Sequence, residues 1–197
     1  MSPVPPSPLR ILVVCTANIC RSPMAAAMLA AASVDRGVAL TVSSAGFLFE
    51  GNPASDTATK VMRERGLDLA PHRSRIVTRQ LLDDADLVLT MERRHARDLV
   101  LKFGNEEKVH TLKAFGALVF ELTAAEHEPS ITGVRPLLRA AAIARSGPAF
   151  LGDGRVDEIA DPHGRSARVH RKTADEIAAA VDVIASGMAT SQEQARA

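Results

Sequence analysis

Apolar and polar positions along this chain alternate in the rhythm of a layered α/β domain. Leu9-Arg10-Ile11-Leu12-Val13-Val14 is nearly all apolar and rich in branched residues, the pattern of a strand buried on both faces. It stops at Cys15. Ser22-Pro23 then marks a helix start, because serine can cap free N–H groups and proline suits the first helical turn. Met24 to Ala32, built from Ala, Met and Leu, continues that helix. Val38 to Ser44 predicts a second strand, ended by Ala45-Gly46. Ser55 to Arg65 predicts a polar helix closed by Gly66, which suits the left-handed residue after a helix. Asp86 to Met91 predicts a third strand, Glu92 to Lys102 a charged helix, and Lys108 to Leu112 a shorter strand. An Ala-rich helix over Thr173 to Ile184 closes the fold. Strands alternating with helices predict a single α/β domain with a central parallel four-stranded sheet and helices on both faces.

The pattern also sets boundaries. Residues 1–8 hold four prolines and no periodicity, and are predicted to be a disordered arm before a domain spanning 9–187. Residues 188–197 are predicted to fray. Within the domain, 114–157 breaks the rhythm. Helix-like patches at Phe115 to Ala125 and Leu137 to Arg145 are interrupted by Pro129, Gly133, Pro136, Gly147 and Pro148. This stretch is read as a helical insertion or lid.

Composition narrows the function classes. A formal net charge of +1 gives no broad basic footprint for nucleic acid. No apolar run approaches the ~20 residues that span a bilayer, and the proline-rich start has no apolar stretch like that of a signal peptide. The two cysteines, Cys15 and Cys20, lie in one short segment. A disulfide-stapled secreted domain or a zinc site would use more ligands, so a cytoplasmic protein without metal or cofactor is expected.

The informative unit joins a strand, Cys15-Thr16-Ala17-Asn18-Ile19-Cys20-Arg21-Ser22, and a helix. A phosphate dianion needs converging donors and a positive field, and a short loop wrapped before a helix N-terminus supplies both. Backbone N–H groups from Thr16 through Arg21 would form the cradle. The same field favours thiolate over thiol at Cys15. Arg21, six positions on, closes the loop and can grip two phosphate oxygens with its planar fork, a geometry lysine lacks.

These residues resemble a known family. Val14 to Ala25 is similar to the signature loop of the low-molecular-weight protein tyrosine phosphatases. Ser44-Ala45-Gly46, Gly51-Asn52-Pro53, His72-Arg73-Ser74-Arg75, Asp86 to Met91 and Asp161-Pro162 resemble further family segments in the expected order. The resemblance spans roughly 9–113 and 158–186. It implies two-step hydrolysis through a phosphocysteine, with Cys15 as nucleophile and Asp161 as general acid and then base. It implies that Asn18, Ser22, Ser44 and His72 hold the loop in shape and that Phe49 walls the substrate. The implied substrate is a tyrosine-phosphorylated protein or a small aryl phosphate, with inorganic phosphate as product. The chain departs from the family pattern at Ala17, where Gly is usual, and at His163-Gly164, where aromatics commonly follow the acid.

Each residue also has a plainer reading. A cysteine ending an apolar strand is most often a small buried residue, and Asp-Pro is a common turn pair. Order and context set these aside for Cys15 and Asp161. Cys20 is either core or a partner for an oxidised Cys15, forming a reversible disulfide. Arg93-Arg94, Arg165, Arg168 and Arg171 read as solvated charges that can attract phosphorylated substrates. Two rivals remain at this point: an arsenate reductase coupled to a small external thiol, and a non-catalytic phosphate-binding module with 114–157 as partner surface.

Overall fold

The computed structural model describes residues 7–104, 106–124, 131–144 and 156–196; most of the arm expected over 1–8 lies outside them. The elements are β1 (Leu9–Val14), α1 (Arg21–Asp35), β2 (Leu40–Ala45), α2 (Asp56–Arg63), α3 (Arg79–Asp83) and β3 (Leu87–Thr90). They continue with α4 (Arg93–Phe103), β4 (Val109–Thr111), α5 (Leu112–Thr123), α6 (Val134–Ala144) and α7 (Ala167–Gln194). The four strands run parallel in the order β2-β1-β3-β4. Val14, the last residue of β1, pairs with Ala45 on one side and Thr90 on the other. Three strands therefore end level, and Cys15, Gly46 and Met91 leave the sheet together. Between β1 and β3 the strand order reverses, which is where parallel α/β sheets open a ligand crevice.

Side-chain alternation along the strands builds two apolar layers. Ile11, Val13, Leu87 and Leu89 face a core completed by α1, α2, α5, α6 and α7. Leu12, Val14, Val88 and Val109 face a smaller one with Leu82 of α3 and Ala96 and Leu99 of α4. The chain is thus one α/β domain with helices on both faces, as the pattern predicts. The short α3 is not visible in that pattern. Its five residues are nucleated by the Thr78 hydroxyl accepting from Leu81 N rather than by apolar spacing.

Three other expectations are corrected. Helix α1 begins at Arg21 with no side-chain cap at Cys20, because the Ser22 hydroxyl is used in the preceding loop. The C-terminal residues do not fray at 188. Helix α7 runs from Ala167 to Gln194 and buries Gly187, Met188 and Ser191, and Gly133 N donates to Ser191 O at 2.6 Å, pinning the start of α6. The boundary expected at 114 falls inside α5. Phe115 and Val119 of α5 and Leu137 and Ala141 of α6 enter the same core as the sheet, so the described part of 114–157 is built into the domain. Residues 125–130 and 145–155 of that stretch lie outside the described residues.

Met188 is fully buried although it lies beyond the expected domain end. Met188→Ala is expected to lower unfolding free energy by about 2–5 kcal/mol in urea titrations, the usual cost of emptying a buried methionine site. A frayed tail would show no change.

Candidate active site

The loop from Cys15 to Arg21 crosses the carboxyl edge of the sheet and delivers the chain into α1. Among the described residues, no hydrogen bond uses the backbone N–H groups of Thr16 through Ser22, so these donors remain available above the helix N-terminus. Asn18 sits at φ 54°, in the left-handed region that asparagine tolerates better than most residues. Ala17 is not in that region, so alanine in the family's usual glycine position adds no left-handed strain.

Asn18 is held from all sides. Its Nδ2 donates to Ser22 Oγ at 2.9 Å and to Ser44 Oγ at 2.8 Å, and its Oδ1 accepts from Arg75 N at 3.0 Å. Its carbonyl lies 2.7 Å from His72 Nε2, so that nitrogen carries the proton and donates. Burial favours the neutral His72 imidazole and pushes it below its usual range, an effect this hydrogen bond partly offsets. Ser22 Oγ also lies 3.0 Å from Cys15 Sγ. The structure therefore brings Cys15, Asn18, Ser22, Ser44 and His72 into one network spanning β1, β2, α1 and the 70–77 segment.

Gly46 closes the loop from the β2 side. A Cβ there would lie 2.8 Å from Asn18 N and 2.9 Å from Thr16 O, both backbone atoms, and Phe47 N donates to Thr16 O at 2.7 Å. Phe49 follows on this same connection and is exposed. Cys20 is buried beneath, with Sγ 3.1 Å from Ser55 Oγ and 4.0 Å from His163 Nδ1; burial raises its thiol above the ordinary range. Both cysteines are free thiols.

Arg21 is almost wholly buried although charged. One terminal nitrogen donates to Glu92 and, at 2.9 Å, to Ile159 O. The other lies 2.8 Å from Asp161 Oδ2, and buried Nε makes no hydrogen bond. Asp161 is thereby placed over the loop on a segment held by Ile159 N donating to Met91 O at 2.8 Å. His163 N donates to the free Asp161 oxygen at 3.2 Å.

Three further residues meet at this edge; Glu92 and His95 escaped the sequence reading, and Arg94 was read there only as a solvated charge that can attract substrate. Glu92 receives Arg21 and Arg94. Burial alone would raise its carboxyl, but hydrogen bonds from Arg94 and Arg21 overcome that and hold it at about 2. Arg94 also reaches Thr16 Oγ1 at 3.1 Å. His95 lies 2.8 Å from the same hydroxyl through Nε2, stacks on Phe47, and leaves buried Nδ1 without a partner. The signal was positional: all three follow β3 at the level where β1 ends. Of the other arginines noted, Arg93 pairs with Asp157 and Arg171 with Glu64, consistent with structural or solvated roles.

A family model described as low molecular weight phosphotyrosine protein phosphatase matches residues 10–127. The chain is 34% identical over 187 residues to a protein-arginine-phosphatase of Geobacillus stearothermophilus, covering 94% of this chain and 99% of that one. It is 43% identical over 90 residues to the low molecular weight protein-tyrosine-phosphatase Wzb of Escherichia coli, covering 45% and 58%. A crystal structure of a low molecular weight protein tyrosine phosphatase from T. tengcongensis superposes with a TM-score of 0.66 at 31% identity, covering 89% of this chain and 97% of that one. A level-ended parallel sheet carrying a cysteine-to-arginine anion loop defines a cysteine-dependent phosphatase fold. The chain belongs to the low molecular weight phosphotyrosine protein phosphatase family.

Two outcomes follow from this geometry. Gly46→Ala is expected to weaken phosphate binding and lower turnover at least tenfold in steady-state assays, because the added Cβ meets loop backbone that cannot rotate away. The second concerns pH. Burial lowers His95 to about 4 against an unfolded value near 6.5, so the unfolded chain binds more protons between those values. Stability should therefore fall as pH drops from 6.5 to 4, by up to about 3 kcal/mol from this group. In urea titrations across that range, His95→Gln should have a shallower slope than wild type.

Proposed function

We propose that this protein hydrolyses phosphomonoesters of aryl alcohols, phosphotyrosine in proteins foremost, through a phosphocysteine on Cys15. The observation that carries this reading is the convergence of Cys15, the unused amides of the loop and buried Arg21 beneath Asp161. The Cys15 thiolate would attack phosphorus while the bond to the aryl oxygen breaks and Asp161 protonates that oxygen. Water would then attack phosphorus, Asp161 would take its proton, and the sulfur–phosphorus bond would break to release inorganic phosphate and the thiolate. Loop amides and Arg21 would hold the equatorial oxygens as charge spreads over them. Asn18, Ser22, Ser44 and His72 support the loop, and Glu92 orients Arg21. Exposed Leu48 and Phe49 beside the loop suit a flat aryl group.

A second substrate has a specific observation behind it. The relative from Geobacillus stearothermophilus, matched along nearly its whole length, is named a protein-arginine-phosphatase, which suggests phosphoarginine in proteins as a substrate here. The same thiolate attack would break a phosphorus–nitrogen bond there, with Asp161 protonating the leaving nitrogen. A position in the cytoplasm is supported by the two free thiols. Among the described residues, no helix is long and apolar enough to cross a membrane.

The test is turnover of p-nitrophenyl phosphate, a phosphotyrosine peptide and a phosphoarginine peptide by wild type, Cys15→Ser and Asp161→Ala. The expected result is a kcat/KM favouring phosphotyrosine, no turnover by Cys15→Ser, and a kcat lowered by roughly 10²–10⁴ in Asp161→Ala. Preference for phosphoarginine would install the second reading. A folded, reduced wild type inert toward all three would overturn both.

A further inference from the structure

Helices α5 and α7 run side by side in the same direction. A Cβ on Gly116 would meet Ala180 O and Ile184, and one on Gly187 would meet Val119 and Thr123, so the two helices advance in step. Their glycines allow a close approach that seals the core beneath. On the outer side, the pair leaves an open groove of about 420 Å³ far from Cys15 in sequence and on different elements from the catalytic loop. Its floor is Ala117, Ala179 and Ala180, and Phe120 and Val183 stand at one end. Phe120 is 67% exposed, an unusual position for a large aromatic in a chain with only six.

At the other end stand Lys113 on α5 and Glu176 on α7, and neither makes an ion pair among the described residues. The groove is thus asymmetric in a particular way. Helix α5 presents a cation and a large ring, while α7 presents an anion and small residues. A two-fold axis parallel to the helices, running along the outer mouth of the groove, would set α5 of one copy against α7 of the other. That operation brings Lys113 within one helical turn of the second copy's Glu176 and sets Phe120 against its Val183, again within about one turn. Both charges and both shapes are matched twice by the same operation, which is what an isologous interface requires.

We propose that this groove is a self-association surface and that its occupant is a second copy of the same chain. A small, nearly apolar lining with one charge of each sign is ill-suited to a phosphorylated ligand, which would need converging donors. The two lysine–glutamate pairs set register and orientation, and the packing of Phe120 on Val183 supplies the burial. The contact patch is short, so association is expected to be reversible and concentration-dependent rather than permanent.

Sedimentation velocity across a protein concentration series tests this directly. Wild type should shift from one to two protomer masses as concentration rises, and Phe120→Glu, folded by circular dichroism, should raise the dimer dissociation constant at least tenfold. Lys113→Glu alone sets glutamate against glutamate, and Glu176→Lys alone sets lysine against lysine, so each should be weakened. Mixed together, these two variants should form a heterodimer, because each mismatched pair becomes a match. A wild type monomeric at all concentrations would overturn the proposal, as expected if another segment of the chain fills the groove. So would a dimer indifferent to all three substitutions, or charge variants that fail to recover one another on mixing.

Discussion

The structure depends on one side chain, Asn18, held in a backbone conformation that most residues avoid. At φ 54° it turns the loop ahead of the helix, and that turn survives because its side-chain amide and its carbonyl are tied on every side. Two donors go to serines on different elements, one acceptor takes a backbone amide, and the carbonyl takes an imidazole. Strain of about 1–3 kcal/mol at such a residue persists only where the surroundings over-determine it. Here those surroundings are β2, α1 and the 70–77 segment, so the shape of the loop depends on the assembly of the sheet edge.

That dependence explains the placement of the other parts. Three strands end level, which lets the β1 loop, Gly46 and Glu92 meet at one edge. Gly46 comes so close to the loop backbone that no side chain fits. The segment bearing Asp161 is hung from Met91 at the end of β3 and from Arg21 itself. The core layers fix the strands, the strands fix the edge, and the edge fixes the reacting groups.

Much of this was legible in the chain. The strand from Leu9 to Val14 and its following loop declare themselves, because a doubly buried strand is a continuous apolar run and because cysteine and arginine bracket a helix start. Ser44 and His72 were reachable only through resemblance, since nothing local distinguishes a serine on an edge strand from any other. Glu92, Arg94 and His95 were illegible because a charged run after a strand reads as solvent-facing until the strand's end is known to meet the loop. The end of α7 misled for a physical reason. Gly187 and the polar residues beyond it weaken helix propensity, but close packing against Val119 and burial of Met188 outweigh that preference. Ser22 misled in the opposite sense: its hydroxyl has the chemistry of a helix cap and is spent on Asn18 and Cys15 instead.

The ion pairs of Arg21 have a consequence for affinity. Its guanidinium is already engaged by two carboxylates before any phosphate arrives. An incoming anion that takes the nitrogen held by Asp161 exchanges one partner for another, and its binding strength is the difference between two attractions. Tight retention of the product is therefore not an automatic penalty of burying so strong a cation. The carboxylate that waits there is a built-in competitor, and it returns whenever phosphate leaves.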